Sequence, residues 1–540
     1  MKTLERYIMK GKATLLRYQE TGYFSKLITD YLSEMDSVKP FYRYAVNWSG
    51  IEQAMAARDQ AISYRSLLHD HLITQYKDIS VGKKTASNIE LIQEENTYTV
   101  CTAHQPTLFT GTLYFVYKIL HTVKLCAALK EKHPSKNFVP IFWMGSEDAD
   151  LDELGKIYLG EEKLIWETKQ TGAVGRMNPK GLQPLIERIA GELGVQPFGN
   201  ELSNLLRSCY LNATDIQTGT FHFIHQLFDR FGLVVLIPDS GKLKTIMKEV
   251  FWEDLTTNRP SSIVEQTITS LQEHYKVQAN PRKINLFYLD QQIRERFEKQ
   301  GDRFVVVNTN LSFSESELRN LLEEQPEKFS PNVILRGLFQ ETLLPNIAFI
   351  GGGGETAYWL ELKDLFQSYC VPFPVLVLRN SMMLVNPKQA ALLNKLNLDV
   401  PTIFREVRAI IESEIISQSG ARIDISTQEK SIMDAYESLQ KQVALVDQTL
   451  VAHIASLKEK SLKPIQALKG KMMRAERRKQ EDRIRQLETL KNSLFPKNGL
   501  QERIESILPY YASYGTSILD LIYENSQELE AFFTTVEISE

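Results

Sequence analysis

Cysteine is scarce in this chain: four residues in 540, at positions 101, 126, 209 and 370, with no CxxC pair among them. That spacing excludes a disulfide framework and a cysteine-rich zinc site, and it reads as a reduced, cytoplasmic protein. HExxH and GxSxG are missing too, so zinc-hydrolase and serine-hydrolase chemistry have no motif to rest on. No stretch approaches eighteen uncharged apolar residues, which argues against a membrane span. The first segment, MKTLERYIMKGKATLLRYQE, is broken by charge in every turn and has no signal-peptide core. An excess of one charge is also absent. With 63 basic against 67 acidic side chains the net charge is −4, so nothing draws the whole surface to nucleic acid or to an anionic membrane, and a nucleic-acid partner is disfavoured.

What the chain does have is length. At 540 residues and 43% hydrophobic it exceeds one compact core, and two or three domains are expected. Residues 1–95 carry helical segments. After them come short runs rich in Val, Ile and aromatics: TYTVCT (97–102), FVPIFWM (138–144), FGLVVLIPD (231–239), RFVVVNT (303–309), NIAFIGG (346–352) and FPVLVLRN (373–380). Several are apolar on both faces and helical patterns lie between most of them, which predicts an α/β fold with a parallel sheet wrapped by helices. Ligands of such sheets sit beyond the carboxyl ends of the strands, where these runs end in polar or glycine-rich sequence. The expected order is a first core part with N-terminal helices (1–159), an insertion (160–225), a second core part (226–385), a helical arm (386–505) and a helical return to the core (506–540). In the arm, Ile432, Tyr436, Leu439, Val443, Val446, Leu450, His453 and Leu457 alternate steps of four and three, predicting a coiled-coil seam on one long helix. Pro464 and Gly470 are expected to interrupt or kink it, with Ile484, Leu487 and Leu494 on a returning helix.

Three stretches carry chemistry. CTAHQPTLFTGTLYFVYKIL (101–120) passes from strand to apolar helix and places His104, Gln105, Thr110 and Gly111 at the junction. Thr110 is expected to N-cap that helix, whose free N–H groups would suit a phosphate or carboxylate. His104 and Gln105 would donate to a bound anion or polarise a reacting oxygen; a plain helix cap with a structural histidine is the alternative. Lys118, two turns down, is expected to lie too deep for the ligand. GSEDADLDE puts Glu147, Asp148, Asp150, Asp152 and Glu153 within seven positions, so that some of them must face water, a cation or a basic group. They would orient an amine or hold Mg²⁺ brought with a nucleotide; an acidic first helical turn is the bland reading. FIGGGGETAYWLEL sets Gly351, Gly352, Gly353 and Gly354 ahead of Glu355, Tyr358 and Trp359. Glycines admit a ligand close to the backbone, yet the block matches neither the dinucleotide fingerprint nor a Walker loop. Arg379 after FPVLVL, and Arg336 in FSPNVILRG, which reads as a Ser-capped helix with Pro at its first position, suit an anion clamp or a pair with the acidic loop. The basic stretch KGKMMRAERRKQEDRIR (469–485) is either a solvated face or a contact for nucleotide or nucleic acid.

In their order, AHQPTLFTGTLYFVYK, PIFWMGSEDADLDEL, FGLVVLIPD, FSPNVILRGLFQETLLPNIAFIGGGGETAYWLELK and FPVLVLRNS, followed by a long coiled coil, resemble the cysteine ligases of bacillithiol biosynthesis, also called cysteine-adding enzymes. The resemblance covers nearly the whole chain. It implies a Rossmann-like core akin to class I aminoacyl-tRNA synthetases and nucleotidylyl transferases, a connective insertion, and a coiled coil that pairs two copies. It also implies an amide-forming ligase joining the carboxylate of cysteine to the amine of glucosaminyl-malate in the last step. His104, Asp148 and Glu147 are then the catalytic candidates. Gln105, Thr110, Gly111, Asp150, Gly351 to Glu355, Tyr358, Trp359 and Arg379 are the substrate- or nucleotide-binding candidates. No metal ligands are assigned. The activating cofactor stays open, with ATP or another nucleotide and Mg²⁺ as the chemical options, because neither HxGH nor KMSKS is present. Thr112 stands where many relatives have proline and Ala149 where histidine is common, so no acid–base role passes to position 149. The alternative function is a synthetase-like nucleotide- or nucleic-acid-binding protein that works through its basic arm.

Overall fold

The computed structural model describes residues 10–160 and 162–539. Contacts divide the chain into two units, one running to Leu384 and resuming at Gly499, the other Val385–Asn498.

In the larger unit, β1 (Lys10–Arg17) is followed by helices and then by β2 (Thr97–His104) and β3 (Asn137–Met144). A hairpin of β4 (Lys156–Leu159) and β5 (Glu162–Ile165) precedes three longer helices, Leu182–Leu193, Gly199–Leu206 and Ile216–Phe228, before β6 (Val234–Leu236). Next come β7 (Leu286–Asp290), β8 (Ile293–Gln300), β9 (Arg303–Val306), β10 (Ser312–Phe313) and β11 (Phe329–Pro331). The last four are β12 (Asn346–Gly351), β13 (Val375–Leu378), β14 (Ser381–Val385) and β15 (Phe532–Ser539).

The parallel sheet has the order β13-β12-β2-β3-β6. Its strands are buried almost throughout, as runs apolar on both faces require. The chain steps outward from β2 to β3 to β6, then returns to the other side of β2 to lay down β12 and β13. The direction reverses between β2 and β12, and a crevice at the carboxyl ends of those two strands is where this architecture binds ligands.

The run at 303–309 does not join that sheet. It forms β9, in an antiparallel sheet of order β10-β9-β8-β7-β11. Two-residue connections, 291–292 and 301–302, join β7 to β8 and β8 to β9, too short for a parallel crossover. β8, IRERFEKQ, buries only Phe297, which is why its strand character is weak in the sequence.

In the smaller unit the helices Val407–Ile423, Ser426–Ala444, Leu450–Lys479 and Glu481–Leu494 follow one another. The predicted seam therefore spans two helices instead of one. Asp447 accepts the backbone N–H and the hydroxyl of Thr449 at 2.8 and 2.7 Å, a local turn that competes with helix. The chain reverses there, so that Tyr436 on one helix meets Ser461 on the next at 2.6 Å. Pro464 and Gly470, expected to interrupt the arm, both lie inside the continuous helix Leu450–Lys479. Ile484, Leu487, Leu490 and Leu494 form the buried stripe of the last helix, which Arg483 ties to Glu414 through two bonds of 2.8 and 2.7 Å.

Candidate functional site

β2 delivers His104 at the carboxyl end of the sheet. Beyond it Phe109, Thr110 and Gly111 all have positive φ (54°, 69° and 60°), and a Cβ on Gly111 would stand 2.5 Å from the Thr107 methyl. A left-handed residue cannot supply the extended geometry of an N-cap. The helix Leu113–Lys132 is accordingly capped at Thr112, not Thr110, and its first N–H, from Leu113, is taken by the Glu505 carbonyl at 2.7 Å. Thr110 is buried with its hydroxyl unpartnered among the described residues. The Glu505 carbonyl thus takes the first donor of the expected anion seat.

Lys118 lies behind the site, buried and bonded to two of the residues that form its wall. Helical side chains lean toward the N-terminus, and this one donates to the Ala103 carbonyl at the end of β2 and to Glu355 Oε2 at 2.6 Å. Glu355 in turn accepts the Gly352 N–H at 2.8 Å, so one carboxylate holds the glycine block against the tip of β2. Burial pushes the Lys118 ammonium below its ordinary proton affinity.

The cavity at the reversal between β2 and β12 measures about 500 Å³. Of the predicted residues it gathers His104, Gln105, Asp148, Gly352 to Glu355, Tyr358, Trp359 and Arg379. Gly351 lies behind it in β12, its carbonyl bonded to the Arg379 N–H at 2.8 Å. Gly354 has no atom within 4 Å of where a Cβ would stand, so the absence of side chains there leaves room in the cavity. Trp359 is 1% exposed and stacks on Phe349 at 4.3 Å, presenting only its rim.

Burial first, then the charge of Lys118, pushes the His104 imidazole down to about 4, so it is neutral at pH 7. Its Nδ1 lies 3.0 Å from the Gln105 carbonyl and must carry the proton, which leaves Nε2 to accept from the Tyr114 hydroxyl at 3.1 Å. The Arg336 guanidinium grips Asp148 bidentately at 3.0 and 2.7 Å, and Arg294 lies 3.5 Å from the same carboxylate. Burial would raise Asp148, but these two arginines outweigh it and hold the carboxyl below its usual range. Arg336 comes from the helix Val333–Leu343, whose cap is Asn332, accepting from the Ile334 N–H at 2.9 Å. Ser330 and Pro331, expected to start that helix, belong to β11, and the Ser330 hydroxyl donates to Glu147 at 3.0 Å.

Glu147 does not line the cavity. Its carboxylate is buried against Lys244, which also pairs with Asp239 at 3.5 Å. Asp150 caps a short turn by accepting the Glu153 N–H at 3.1 Å, and with Gly111 it lines a neighbouring cavity of about 530 Å³. The two cavities share His104, Tyr114 and Arg503. Arg379 turns inward: it donates to Glu502 at 2.7 Å and to Ser381 Oγ at 3.1 Å. Among the described residues no three His, Cys, Asp or Glu side chains converge as a metal shell.

Sequence reasoning did not single out Tyr114, Trp143, Arg294, Asn332 or Arg503, all of which line the main cavity. Arg294 sits in the charged strand β8, and Arg503 lies far along the chain from every other lining residue. In the smaller unit, Lys471, Arg474, Arg477 and Arg478 surround a pocket of about 640 Å³ with Glu481 and Ile484.

Residues 12–380 match the family model described as "Bacillithiol biosynthesis BshC, N-terminal Rossmann-like domain", and residues 382–538 match "Bacillithiol biosynthesis BshC, C-terminal coiled-coil domain". A protein of Flavobacterium psychrophilum is 36% identical over 96% of this chain and 98% of its own length. One of Flavobacterium johnsoniae is 36% identical over 97% and 99%, and one of Cytophaga hutchinsonii 36% over 94% and 95%. Each of the three bears the name "Putative cysteine ligase BshC".

Proposed function

This chain belongs to the BshC family of bacillithiol biosynthesis, and from that premise we propose that it is a carbon–nitrogen ligase joining the carboxyl of cysteine to the amine of glucosaminyl-malate, the step that completes bacillithiol. A carboxylate does not acylate an amine at neutral pH until one oxygen becomes a leaving group, ordinarily as an acyl adenylate or acyl phosphate drawn from ATP. The amine nitrogen then attacks the carbonyl carbon, the bond to the leaving oxygen breaks with its electron pair, and a proton leaves the nitrogen.

His104 Nε2 is the acceptor for that proton. The Gln105 carbonyl fixes the tautomer that exposes it, and Tyr114 O–H marks the position of the donor it awaits. A substrate anion bound beside the imidazole raises its proton affinity toward the neutral range, so the base is armed when the site is filled. Asp148 keeps Arg336 and Arg294 oriented at the rim, and the glycine block gives the substrate or nucleotide access to the backbone.

What supports this reading most is that the family match runs nearly the length of the chain while His104, Asp148 and the glycine block meet in one cavity at the strand-order reversal. Wild-type protein given cysteine, glucosaminyl-malate and ATP should yield a species whose mass is the sum of the first two less one water. If no such species forms with ATP or any other nucleoside triphosphate, the reading is wrong.

Pairing of two copies through the arm, in the cytoplasm, belongs to the same proposal. Leu439, Leu445, Val446, Leu450 and Leu468 are all exposed on the arm helices and their connection, an apolar surface that pairing would cover. Light scattering should give twice the chain mass, and Leu445→Lys with Val446→Lys should halve it; a monomeric wild type rejects the pairing.

A further inference from the structure

We propose that Arg503 is a positioning residue that clamps an anionic group of the substrate where the two cavities meet. The inference takes from the ligase reading only the chemistry of the substrates, and the cavity's own charge balance carries it. Lys118 is paired with Glu355 at 2.6 Å, Arg336 with Asp148 at 2.7 Å and Arg379 with Glu502 at 2.7 Å. Arg294 shares Asp148 from 3.5 Å. Each carboxylate around the main cavity thus already has a cation, and the cations outnumber them. Arg503 is exposed, lines both cavities, and its guanidinium makes no hydrogen bond or ion pair among the described residues. The Trp143 indole N–H, on a residue that lines the main cavity, is buried without an acceptor among the described residues. Unmatched donors and no unmatched carboxylate call for an acceptor-rich, negatively charged ligand.

Arg503 is also held from a rigid base. Gln501 beside it exchanges hydrogen bonds with the Leu384 N–H and carbonyl at 2.8 and 3.0 Å, and Glu502 accepts from Arg379, Ser381 and the Met382 N–H. Backbone fixed on that side presents the guanidinium with little ordering left to do on binding. The neighbouring cavity has the opposite sign, with Asp150, Asp152 and Glu153 against Lys156. A ligand carrying an anion and an amine is therefore oriented, anion in the main cavity and nitrogen toward the acidic rim, with His104 between them on the wall both share.

The shared chemistry is a carboxylate or a phosphate, and the test separates them. Full-length wild type, Arg503→Met and Arg503→Lys are titrated calorimetrically with L-malate, with inorganic phosphate and with ATP, and the KM and kcat for glucosaminyl-malate are measured alongside. Loss of one charge-assisted clamp should weaken one probe about tenfold in Arg503→Met, recover partly in Arg503→Lys, and raise KM more than it lowers kcat, with the melting temperature unmoved. An effect on malate identifies a substrate carboxylate; one on phosphate or ATP identifies a nucleotide phosphate. Equal binding of all three probes by wild type and Arg503→Met overturns the clamp, as does a wild type that binds none of them at millimolar concentration. If malate or phosphate binding depends on Arg503 while no ligation product forms, the clamp stands and the ligase reading falls.

Discussion

His104→Ala should lower ligation turnover by about 10²–10⁴-fold, the range lost with a positioned proton acceptor, while the protein stays folded. The imidazole sits in the cavity wall, and its strongest ties are to a neighbouring carbonyl and to Tyr114. Removing it therefore withdraws an acceptor without opening the core. KM should move little, because the ring contributes no charge at neutral pH. The same neutrality is directly observable. With its proton affinity pushed down to about 4 by burial and by Lys118, the ¹³C-labelled His104 ring in the ligand-free protein should show no titration between pH 8 and 6, where an ordinary histidine is half-converted near 6.5. A midpoint near 6.5, or wild-type turnover in the alanine protein, would each remove His104 from the role given to it.

Arg379→Gln is expected to produce the larger loss of stability, about 3–5 kcal/mol. The arginine side chain is 5% exposed and its partner Glu502 0%. Without the guanidinium that carboxylate keeps the Ser381 hydroxyl and the Met382 N–H but has no counter-charge in a site closed to water. The sign of the effect distinguishes a strut from a clamp. A residue that held substrate would raise KM at constant stability, as expected of Arg503, whereas this one should shift the denaturation midpoint first. Arg379→Met combined with Glu502→Leu should regain much of the loss, since two apolar side chains of similar volume carry no uncompensated charge. If Arg379→Gln unfolds at the wild-type denaturant concentration, the pair contributes nothing and Arg379 returns to the list of substrate contacts.

The parallel core was legible because β2, β3, β12 and β13 are buried on both faces and write themselves as unbroken apolar runs. β7 and β8 were not, because a half-exposed strand such as IRERFEKQ spends its letters on charge. At the site the sequence located the carboxylates but not their directions. Glu147 and Asp148 are adjacent but leave β3 through a turn at Ser146 and Glu147 that sends them different ways; one meets Lys244, the other Arg336. The cap at Thr112 was misplaced by two residues because the left-handed turn at Phe109 and Thr110 leaves no compositional mark. The arm's reversal was hidden because Val446 and Leu450 keep the heptad phase through the turn, where they are exposed. Arg503 joins the cavity through chain tracing alone, which no local pattern encodes.

The sheet β1-β15-β14 has an order with a temporal meaning. Its middle strand is made after both of its neighbours, and it must enter between two strands already synthesised, pairing with β1 over eight residues from Lys10↔Ser539 to Arg17↔Phe532. Glu502 likewise emerges 123 residues after Arg379, a delay on the order of ten seconds at ordinary elongation rates. During that interval the nascent body carries two unfilled strand edges and an unneutralised guanidinium, the kind of exposed surface that makes folding intermediates prone to aggregation.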